Sequence, residues 1–215
     1  MRVVSVQVGR PRTVGTPHAP DPLDRAFTSA IWKEPVQGTV WAGSLGLRGD
    51  SVADTRSHGG PDQALLMYAA THYPLWRAEW GRDDLGPGSF GENLTVEGIT
   101  EDEACIGDVL EIGQARFQVS HPRQPCSTLA RRHQVRNIIE QVNGNGRSGW
   151  YLRVLEEGYV EAGLPVRLTH RSHPEWSVRR AARAMLNRHK DREEAHALGS
   201  CAALSKEWRK RLAKS

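Results

Sequence analysis

One cysteine, Cys126, has the sequence surroundings of a reactive sulfur. It lies in the segment VSHPRQPCSTLARRH, directly before a predicted helix. A sulfur at a helix start is close to unpaired backbone N–H groups, which favours the thiolate. Arg123, Arg131 and Arg132 add positive charge nearby in the sequence. Such a thiolate suits nucleophilic attack or coordination of a soft metal, and a buried, inert cysteine is the remaining alternative.

Glycine-rich polar loops precede several apolar segments. The first, RSHGGPDQALLMY, has a Gly-Gly-Pro turn flanked by His58 and Asp62. Backbone N–H groups in such a turn can cradle an anion, although a plain turn is the alternative. The segment GPGSFGENLTVEGIT sets Glu92 and Asn93 at a strand entrance, and GNGRSGWY supplies further flexible backbone or a simple surface loop. Together these loops suit a pocket at one end of a barrel that holds a large polar ligand.

The elements that must position these loops are mostly short strands. Apolar segments separated by Gly, Pro and Asp predict a mainly β, α+β fold of the barrel type with a few packing helices. The segment DVLEIGQARFQVS predicts a hairpin that turns at Gly113 and Gln114. The predicted strands are Val3 to Val8, Ser29 to Lys33, Thr39 to Trp41, Ala64 to Tyr68, Asn93 to Val96, Asp108 to Ile112, Arg116 to Ser120 and Pro165 to Thr169.

Helical periodicity is found in two places. A helix is predicted from about Thr71 to Trp80, where an aromatic stripe indicates core packing, and another directly follows Cys126. From about Pro174 onwards the pattern is helical, which predicts three short helices in residues 171–215 after a barrel domain in residues 1–170. The first tail helix carries an apolar stripe made of Trp176, Val178, Ala182, Met185 and Leu186.

Composition limits the class of protein. The chain has 215 residues and 38% hydrophobic residues, enough for one sizeable core with a small appendage. No apolar run approaches the roughly 20 residues that span a bilayer, and the first residues lack a signal-peptide pattern, so we expect a soluble, cytoplasmic protein. The three cysteines are far apart in the sequence, which argues against a disulfide framework, a structural zinc site or an internal iron–sulfur cluster.

Six ordered motifs resemble the MOSC proteins of the YiiM type. They are GLRGD, HGGPD, FGENLT, IGD, QVSHPRQPC and SGWYLRVLEEG, and they extend over nearly the whole chain. The tail, SVRRAARAMLNRHKDREEAHALGSCAALSKEWRKRL, is similar to the three-helix module that follows the MOSC barrel in that family. Any one motif is weak evidence, whereas the ordered set is specific.

The resemblance implies a molybdopterin-type molybdenum cofactor held in the barrel. The cysteine of the PRQPC segment, here Cys126, would ligate molybdenum and act as the catalytic sulfur, in agreement with a soft thiolate ligand. The HGGPD, FGENL and SHPRQ segments would form the cofactor pocket. The implied pocket residues are His58, Gly59, Gly60, Asp62, Phe90, Gly91, Glu92, Asn93, Ser120, Arg123 and Gln124.

Two positions depart from the pattern of the family. Members commonly have Lys or Arg directly after HGGPD and Gln before Pro in the third segment, whereas this chain has Gln63 and His121. If Gln63 faces the pocket, an anionic cofactor would be held more by backbone N–H groups and by Arg123. His121 can still form hydrogen bonds, but we expect its charge to vary near neutral pH.

The resemblance also implies an activity. Proteins of this type are linked to the two-electron reduction of N-hydroxylated compounds, hydroxylaminopurine base analogues among them, from N–OH to N–H with release of water. The sequence encodes no flavin, haem or iron–sulfur site, so electrons would come from a separate reductase. The alternative function is a cofactor-handling or sulfur-carrying protein that does not turn over substrate. Whether the chain is a monomer or a homodimer is left open.

The basic tail has its own alternatives. Residues 171–215 contain 12 Lys and Arg against five Asp and Glu, and binding of nucleic acid is one interpretation of this excess of positive charge. The charges alternate with glutamate on short amphipathic helices, which favours a solvated face. The tail could instead dock the electron donor. In that case deletion of residues 171–215 should weaken turnover driven by the partner more than turnover with a small artificial reductant.

Overall fold

Short segments with alternating apolar residues form the strands, as the sequence predicts. The structure, a computed structural model, describes residues 1–55 and 58–214. The strands are β1 (Arg2–Val8), β2 (Arg12–Val14), β3 (Phe27–Ser29), β4 (Glu34–Pro35), β5 (Val40–Gly43), β6 (Gly46–Leu47), β7 (Leu65–Ala69), β8 (Leu94–Glu97), β9 (Val109–Ile112), β10 (Ala115–Pro122), β11 (Trp150–Glu156), β12 (Gly158–Val160) and β13 (Val166–His170). The helices are α1 (His72–Trp80), α2 (Ser127–His133), α3 (Ile138–Asn145), α4 (Val178–Asn187), α5 (Arg192–Gly199) and α6 (Lys206–Leu212), and Pro61–Gln63 form a 3-10 turn.

One mixed sheet dominates the fold. Its eight strands lie in the order β13-β9-β10-β11-β7-β8-β1-β4, and β7 and β8 are parallel, whereas the other neighbours are antiparallel. The mainly β, α+β class is therefore confirmed. The strand order does not close into a continuous barrel ladder. The start of β1 is instead joined to the segment before β13 by single backbone bonds, such as that from the N–H of Val3 to the carbonyl of Leu164 at 2.9 Å.

Two parts of the fold differ from the strand predictions. The predicted strand Ser29–Lys33 is wrong beyond Ser29, because β3 ends there and pairs only with β2. The central strand β11 and helix α3 were not predicted. Strand β11 pairs with β10 on one side and β7 on the other, and its residues Trp150 and Leu152 are fully buried. The predicted hairpin at Gly113 and Gln114 is confirmed by the pairing of β9 with β10.

The aromatic stripe of α1 packs into the core, as predicted. Tyr73 and Trp76 are buried, and Trp76 contacts Phe90 at a ring-centroid distance of 5.6 Å. Phe90 also stacks on Tyr68 at 4.7 Å. This aromatic cluster holds the FGEN loop against the sheet, because large buried rings leave little room for movement of the backbone.

Three capped helices form the tail. Ser177, Asp191 and Ser205 each accept a hydrogen bond from a backbone N–H in the first turn of α4, α5 and α6. The predicted stripe of α4 holds for Val178 and Met185, which are buried, whereas Leu186 is 45% exposed because the helix turns that residue away from the sheet.

Hydrogen bonds at the start of α6 connect the tail to the rest of the protein. The N–H of Ser205 donates to the carbonyl of Ser120 at 3.0 Å, and the N–H of Lys206 donates to the carboxylate of Asp62 at 3.0 Å. One continuous cluster of buried side chains extends from the sheet into the three helices. The division at residue 170 into two domains stays a prediction. Among the described residues, no helix is both long enough and apolar enough to cross a bilayer.

Candidate functional site

Cys126 is the residue that precedes α2, and its sulfur is in a polar environment. Burial opposes ionisation of this thiol, but hydrogen bonding to His58, the charge of Arg123 and two hydrogen bonds from Thr128 together lower its pKa to about 6. One of the Thr128 bonds comes from its backbone N–H, the kind of helix-start contact that the sequence predicts. The side chain is partly exposed. Cys126 is therefore largely a thiolate at neutral pH and is open to a ligand.

The other two cysteines differ from Cys126. Cys105 and Cys201 are buried, and burial raises the pKa of each thiol. Among the described residues, no cationic side chain that affects the pKa of Cys105 or Cys201 does so by a hydrogen bond to the sulfur. The structure thus distinguishes one reactive sulfur from two packing sulfurs.

His58 and Arg123 are the two cationic neighbours of the sulfur. The hydrogen bond to Cys126 raises the pKa of His58 although burial opposes this shift, so the two side chains form an imidazolium–thiolate pair. Arg123 is only 6% exposed, and its Nη1 has no hydrogen-bond partner among the described residues. A buried guanidinium with an unused donor is costly unless a ligand completes its hydrogen bonds.

The sulfur faces a cavity of about 330 Å³. Gln63 lies on its wall, so this departure from the family pattern does face the pocket. The sequence-predicted site residues that the structure brings together around this cavity are His58, Gly59, Phe90, Gly91, Asn93, Arg123 and Cys126.

Two of these glycines are required by the backbone. Gly59 has φ +82° and Gly91 has φ +78°, conformations that L side chains rarely adopt. A Cβ on Gly91 would also lie 2.8 Å from Cγ1 of Ile31. The loops can therefore approach the cavity only because these positions lack side chains.

Five predicted pocket residues do not line the cavity: Gly60, Asp62, Glu92, Ser120 and Gln124. Three of them, Asp62, Ser120 and Gln124, form hydrogen bonds to other parts of the protein. Asp62 binds Arg153 and the start of α6, Gln124 accepts a hydrogen bond from Arg211, and the Oγ of Ser120 donates to the carbonyls of Asp62 and Tyr151. That any of the five contacts a cofactor stays a prediction.

Sequence reasoning missed a buried ion pair at the cavity. The Nζ of Lys33 lies 2.5 Å from Oδ1 of Asp50, and both side chains are almost fully buried. Asn93 donates to the same carboxylate at 2.8 Å and accepts from the N–H of Leu66 at 3.1 Å. This chain of contacts connects residues up to 60 positions apart, so no local motif could indicate it. It fixes an ammonium group on the wall of the cavity.

Arginines after Cys126 have two different positions. Arg131 lies on the cavity wall and its guanidinium covers the ring of Phe27, with 5.1 Å between its Cζ and the ring centroid. Arg132 instead donates to the carbonyls of Ile31 and Gly88, away from the sulfur. Of the three arginines that the sequence places near Cys126, two therefore add charge to the cavity.

The expectation that the charge of His121 varies near neutral pH is wrong. Its side chain is buried between Tyr151 and Trp208, and burial lowers its pKa to about 3. The ring therefore stays neutral at pH 7, where it can exchange one hydrogen bond with the Oγ of Ser120 at 3.1 Å.

Neutral His121 should make the protein sensitive to acid. Its pKa is about 3 in the folded state and 6.5 without the fold, so the unfolded chain binds more protons between these values and stability falls as the pH falls through that window. Glutamine at position 121 cannot be protonated. Between pH 7 and pH 4.5 we therefore expect the free energy of unfolding of His121→Gln to fall by about 2–3 kcal/mol less than that of the wild type. Urea unfolding at both pH values measures this difference. Parallel stability loss in the two proteins would contradict it.

The imidazolium–thiolate pair predicts selective alkylation. In the cofactor-free protein, iodoacetamide should modify Cys126 with a pH midpoint near 6 and leave Cys105 and Cys201 intact. His58→Gln removes the hydrogen bond, so the thiol pKa rises and the rate at pH 7 should fall by about tenfold. Peptide mass spectrometry identifies the alkylated residue. His189→Gln, which changes an exposed histidine in the tail, is the matched control and should react like the wild type.

Comparison with known proteins identifies the family of this chain. Residues 54–167 match the model of the MOSC domain, and residues 176–214 match that of the YiiM-like, 3-alpha helix domain. Protein YiiM of Escherichia coli (strain K12) is 36% identical over 189 residues, which are 86% of this chain and 84% of that protein. Uncharacterized protein YflK of Bacillus subtilis (strain 168) is 39% identical over 207 residues, 96% of this chain and 90% of the relative.

Solved structures agree with this result. The crystal structure of YiiM from Geobacillus stearothermophilus superposes with a TM-score of 0.82 at 34% identity and covers 99% of this chain and 97% of its own. That of YiiM from Escherichia coli gives a TM-score of 0.78 at 30% identity, with coverage of 100% and 92%. The chain therefore belongs to the MOSC domain family, with a YiiM-like three-helix domain after the MOSC domain.

Proposed function

We propose that this protein is a molybdenum-cofactor-dependent reductase of N-hydroxylated compounds, with Cys126 as the protein ligand of the metal. The observation that carries the proposal is the thiolate of Cys126, paired with His58 and open to a cavity with a buried, incompletely bonded arginine. MOSC domains are generally associated with binding of the molybdenum cofactor. A protein of Gibberella moniliformis that is named Reductase also matches, with 37% identity over 159 residues, 73% of this chain and 28% of that protein.

The residues around the cavity fit such a cofactor. A thiolate is a suitable ligand for a soft transition metal, and a molybdopterin carries a phosphate that needs cationic or N–H donors. Arg123 has an unused Nη1 and Arg131 adds a second cation on the wall, whereas the charge of Lys33 is balanced by Asp50. The charge that Gln63 does not supply is therefore present on other elements of the fold.

Each of these side chains has a defined part in the proposed site. Cys126 would hold the metal, and the hydrogen bonds from His58 and Thr128 keep its sulfur ionised and fix its direction. Arg123 and Arg131 would bind the anionic part of the cofactor. Phe90, packed against Tyr68, gives the cavity a rigid apolar wall that limits access of water.

The cofactor, when bound, supplies two-electron redox chemistry at the metal. The overall reaction converts R–NHOH, two electrons and two protons into R–NH2 and water, so the N–O bond breaks and the oxygen leaves as water. The electrons are proposed to come from a separate reductase. The hydrogen bond to Cys126 raises the pKa of His58, so this imidazole is suited to hold a proton beside the sulfur.

Protein purified from a host that makes the cofactor tests the proposal. We expect near-stoichiometric molybdenum and pterin, and reduction of an N-hydroxylated purine with a chemical electron donor. A metal-free preparation made in a cofactor-deficient host should bind no pterin and reduce no substrate. Full N–OH reduction by that metal-free protein would rule the proposal out.

A second candidate function rests on the same pair. An imidazolium–thiolate pair also activates a cysteine as a nucleophile, which would suit a carrier of sulfur or of the cofactor. The two functions give different results in the same preparation. Bound cofactor without reduction of any N-hydroxylated substrate by any electron donor would favour the carrier.

A further inference from the structure

A second cavity lies between the sheet and the tail helices. Its volume is about 220 Å³, and it is bounded by the residues 122–125 that lead to Cys126, by the end of α3 and by helices α4 and α6. We call it the interdomain cleft. Neither Cys126 nor His58 lines it, so it is separate from the thiolate cavity, and Arg123 is the one described residue that borders both.

The interdomain cleft is positively charged. The side chain of Arg183 in α4 makes no hydrogen bond or ion pair with any residue in the described ranges, and Arg123, whose charge also acts on Cys126, borders the cleft. Arg179 also lines the cleft, but its charge is balanced by Asp102, with a distance of 2.5 Å between Nε and Oδ1. None of the described lining residues is acidic. The guanidinium of Arg183 therefore remains for a ligand, and Arg123 adds positive charge where the cleft borders the thiolate cavity.

Part of the lining of the interdomain cleft is apolar. Its apolar residues include Pro125, Val142, Leu186 and Trp208. Leu186 is 45% exposed, although Val178 and Met185 of the same helix stripe are packed in the core. An apolar surface next to the free guanidinium of Arg183 is suited to a molecule with a ring and an oxyanion, because the ring covers the apolar surface and the anion pairs with arginine.

We propose that the interdomain cleft is a second small-molecule site, for a carboxylate or phosphate monoester carried on an apolar ring. The oxyanion pairs with Arg183 at the mouth and the ring lies between Pro125 and Leu186. Because the ligand touches both the sheet and the tail helices, it binds only the folded chain and raises the melting temperature. The cleft shares Arg123 with the thiolate cavity, but its proposed oxyanion partner is Arg183, so this site does not require bound molybdenum.

Binding to the full-length, cofactor-free protein tests the site. Isothermal titration with phenyl phosphate and benzoate should show binding, whereas phenol and inorganic phosphate, which each lack one half of the ligand, should bind at least about tenfold more weakly. The melting temperature should rise with the same probes. Failure of both ring oxyanions to bind would overturn the proposal.

Substitutions inside and outside the interdomain cleft show where the probe binds. Arg183→Gln should weaken binding about tenfold, and Ala182→Phe, which fills the cleft from α4, should also weaken it. Arg192→Gln changes an exposed arginine of α5 outside the cleft and should bind like the wild type. Arg131→Gln changes the thiolate cavity and should also have no effect. If Arg131→Gln weakens binding and Arg183→Gln does not, the probe occupies the thiolate cavity and the proposal is wrong.

Discussion

Replacing Cys126 by serine is expected to lower the molybdenum content of the purified protein at least about tenfold, since a hydroxyl is a harder and far less acidic ligand than a thiol. N-hydroxy reduction should fall by at least about a hundredfold, because no other described residue of the cavity offers a sulfur. Metal analysis by mass spectrometry and turnover with a chemical reductant measure the two effects. The melting temperature of the cofactor-free variant should stay near that of the wild type.

Cys201→Ala is the matched control for this experiment. It removes a buried sulfur in the tail and leaves the cavity unchanged, so molybdenum content and activity should both be retained. A Cys126→Ser protein that keeps full metal content and turnover would show that the sulfur is not the ligand. Loss of metal in both variants would point instead to a general effect on folding.

Glu92→Ala is expected to lower the free energy of unfolding of the cofactor-free protein by about 3–5 kcal/mol. The Glu92 carboxylate is fully buried and accepts hydrogen bonds from the hydroxyls of Tyr73 and Thr95 and from the backbone N–H groups of Gly88 and Phe90. Alanine would leave these four donors without their acceptor in a region closed to water. Urea unfolding at pH 7 measures the loss.

Glu97→Ala is the matched control, because Glu97 ends the strand that follows Glu92, is partly exposed and, among the described residues, forms a side-chain pair only with Arg2. Its stability should change by less than about 1 kcal/mol. The comparison also separates two roles for Glu92. If this residue acts mainly by contacting a cofactor, as the resemblance implies, Glu92→Ala would lose cofactor while the cofactor-free protein keeps its stability.

The helix start beside Cys126 and the glycine turns could be predicted because their signals are local, whereas His58 could be placed near Cys126 only through the family resemblance. The position of Cys126 before a helix follows from a few neighbouring residues, and the glycines at 59 and 91 mark backbone that needs a positive φ. Both features are visible in a segment of about ten residues. The mainly β class follows from the same kind of local alternation.

The remaining parts depend on contacts between distant segments. The pair of Lys33 and Asp50, held by Asn93, exists only once the strands that carry these residues have assembled. The neutral state of His121 depends on burial beside Trp208, which comes from the tail. A sequence motif does not show which side chains become buried, so the charge of His121 could not be assigned before the structure.

The junction at Asp62 has a consequence for how the role of the tail can be studied. The carboxylate of Asp62 binds the first backbone N–H of α6, and its neighbour Gln63 lies on the wall of the thiolate cavity. Removal of the tail would therefore remove a hydrogen bond that holds the HGGPD loop in place, and turnover should fall with any electron source. Deletion of the tail therefore cannot distinguish loss of redox-partner docking from damage to the thiolate cavity. A single charge reversal at an exposed position of α6, such as Lys210→Glu, leaves the contact between Asp62 and α6 intact.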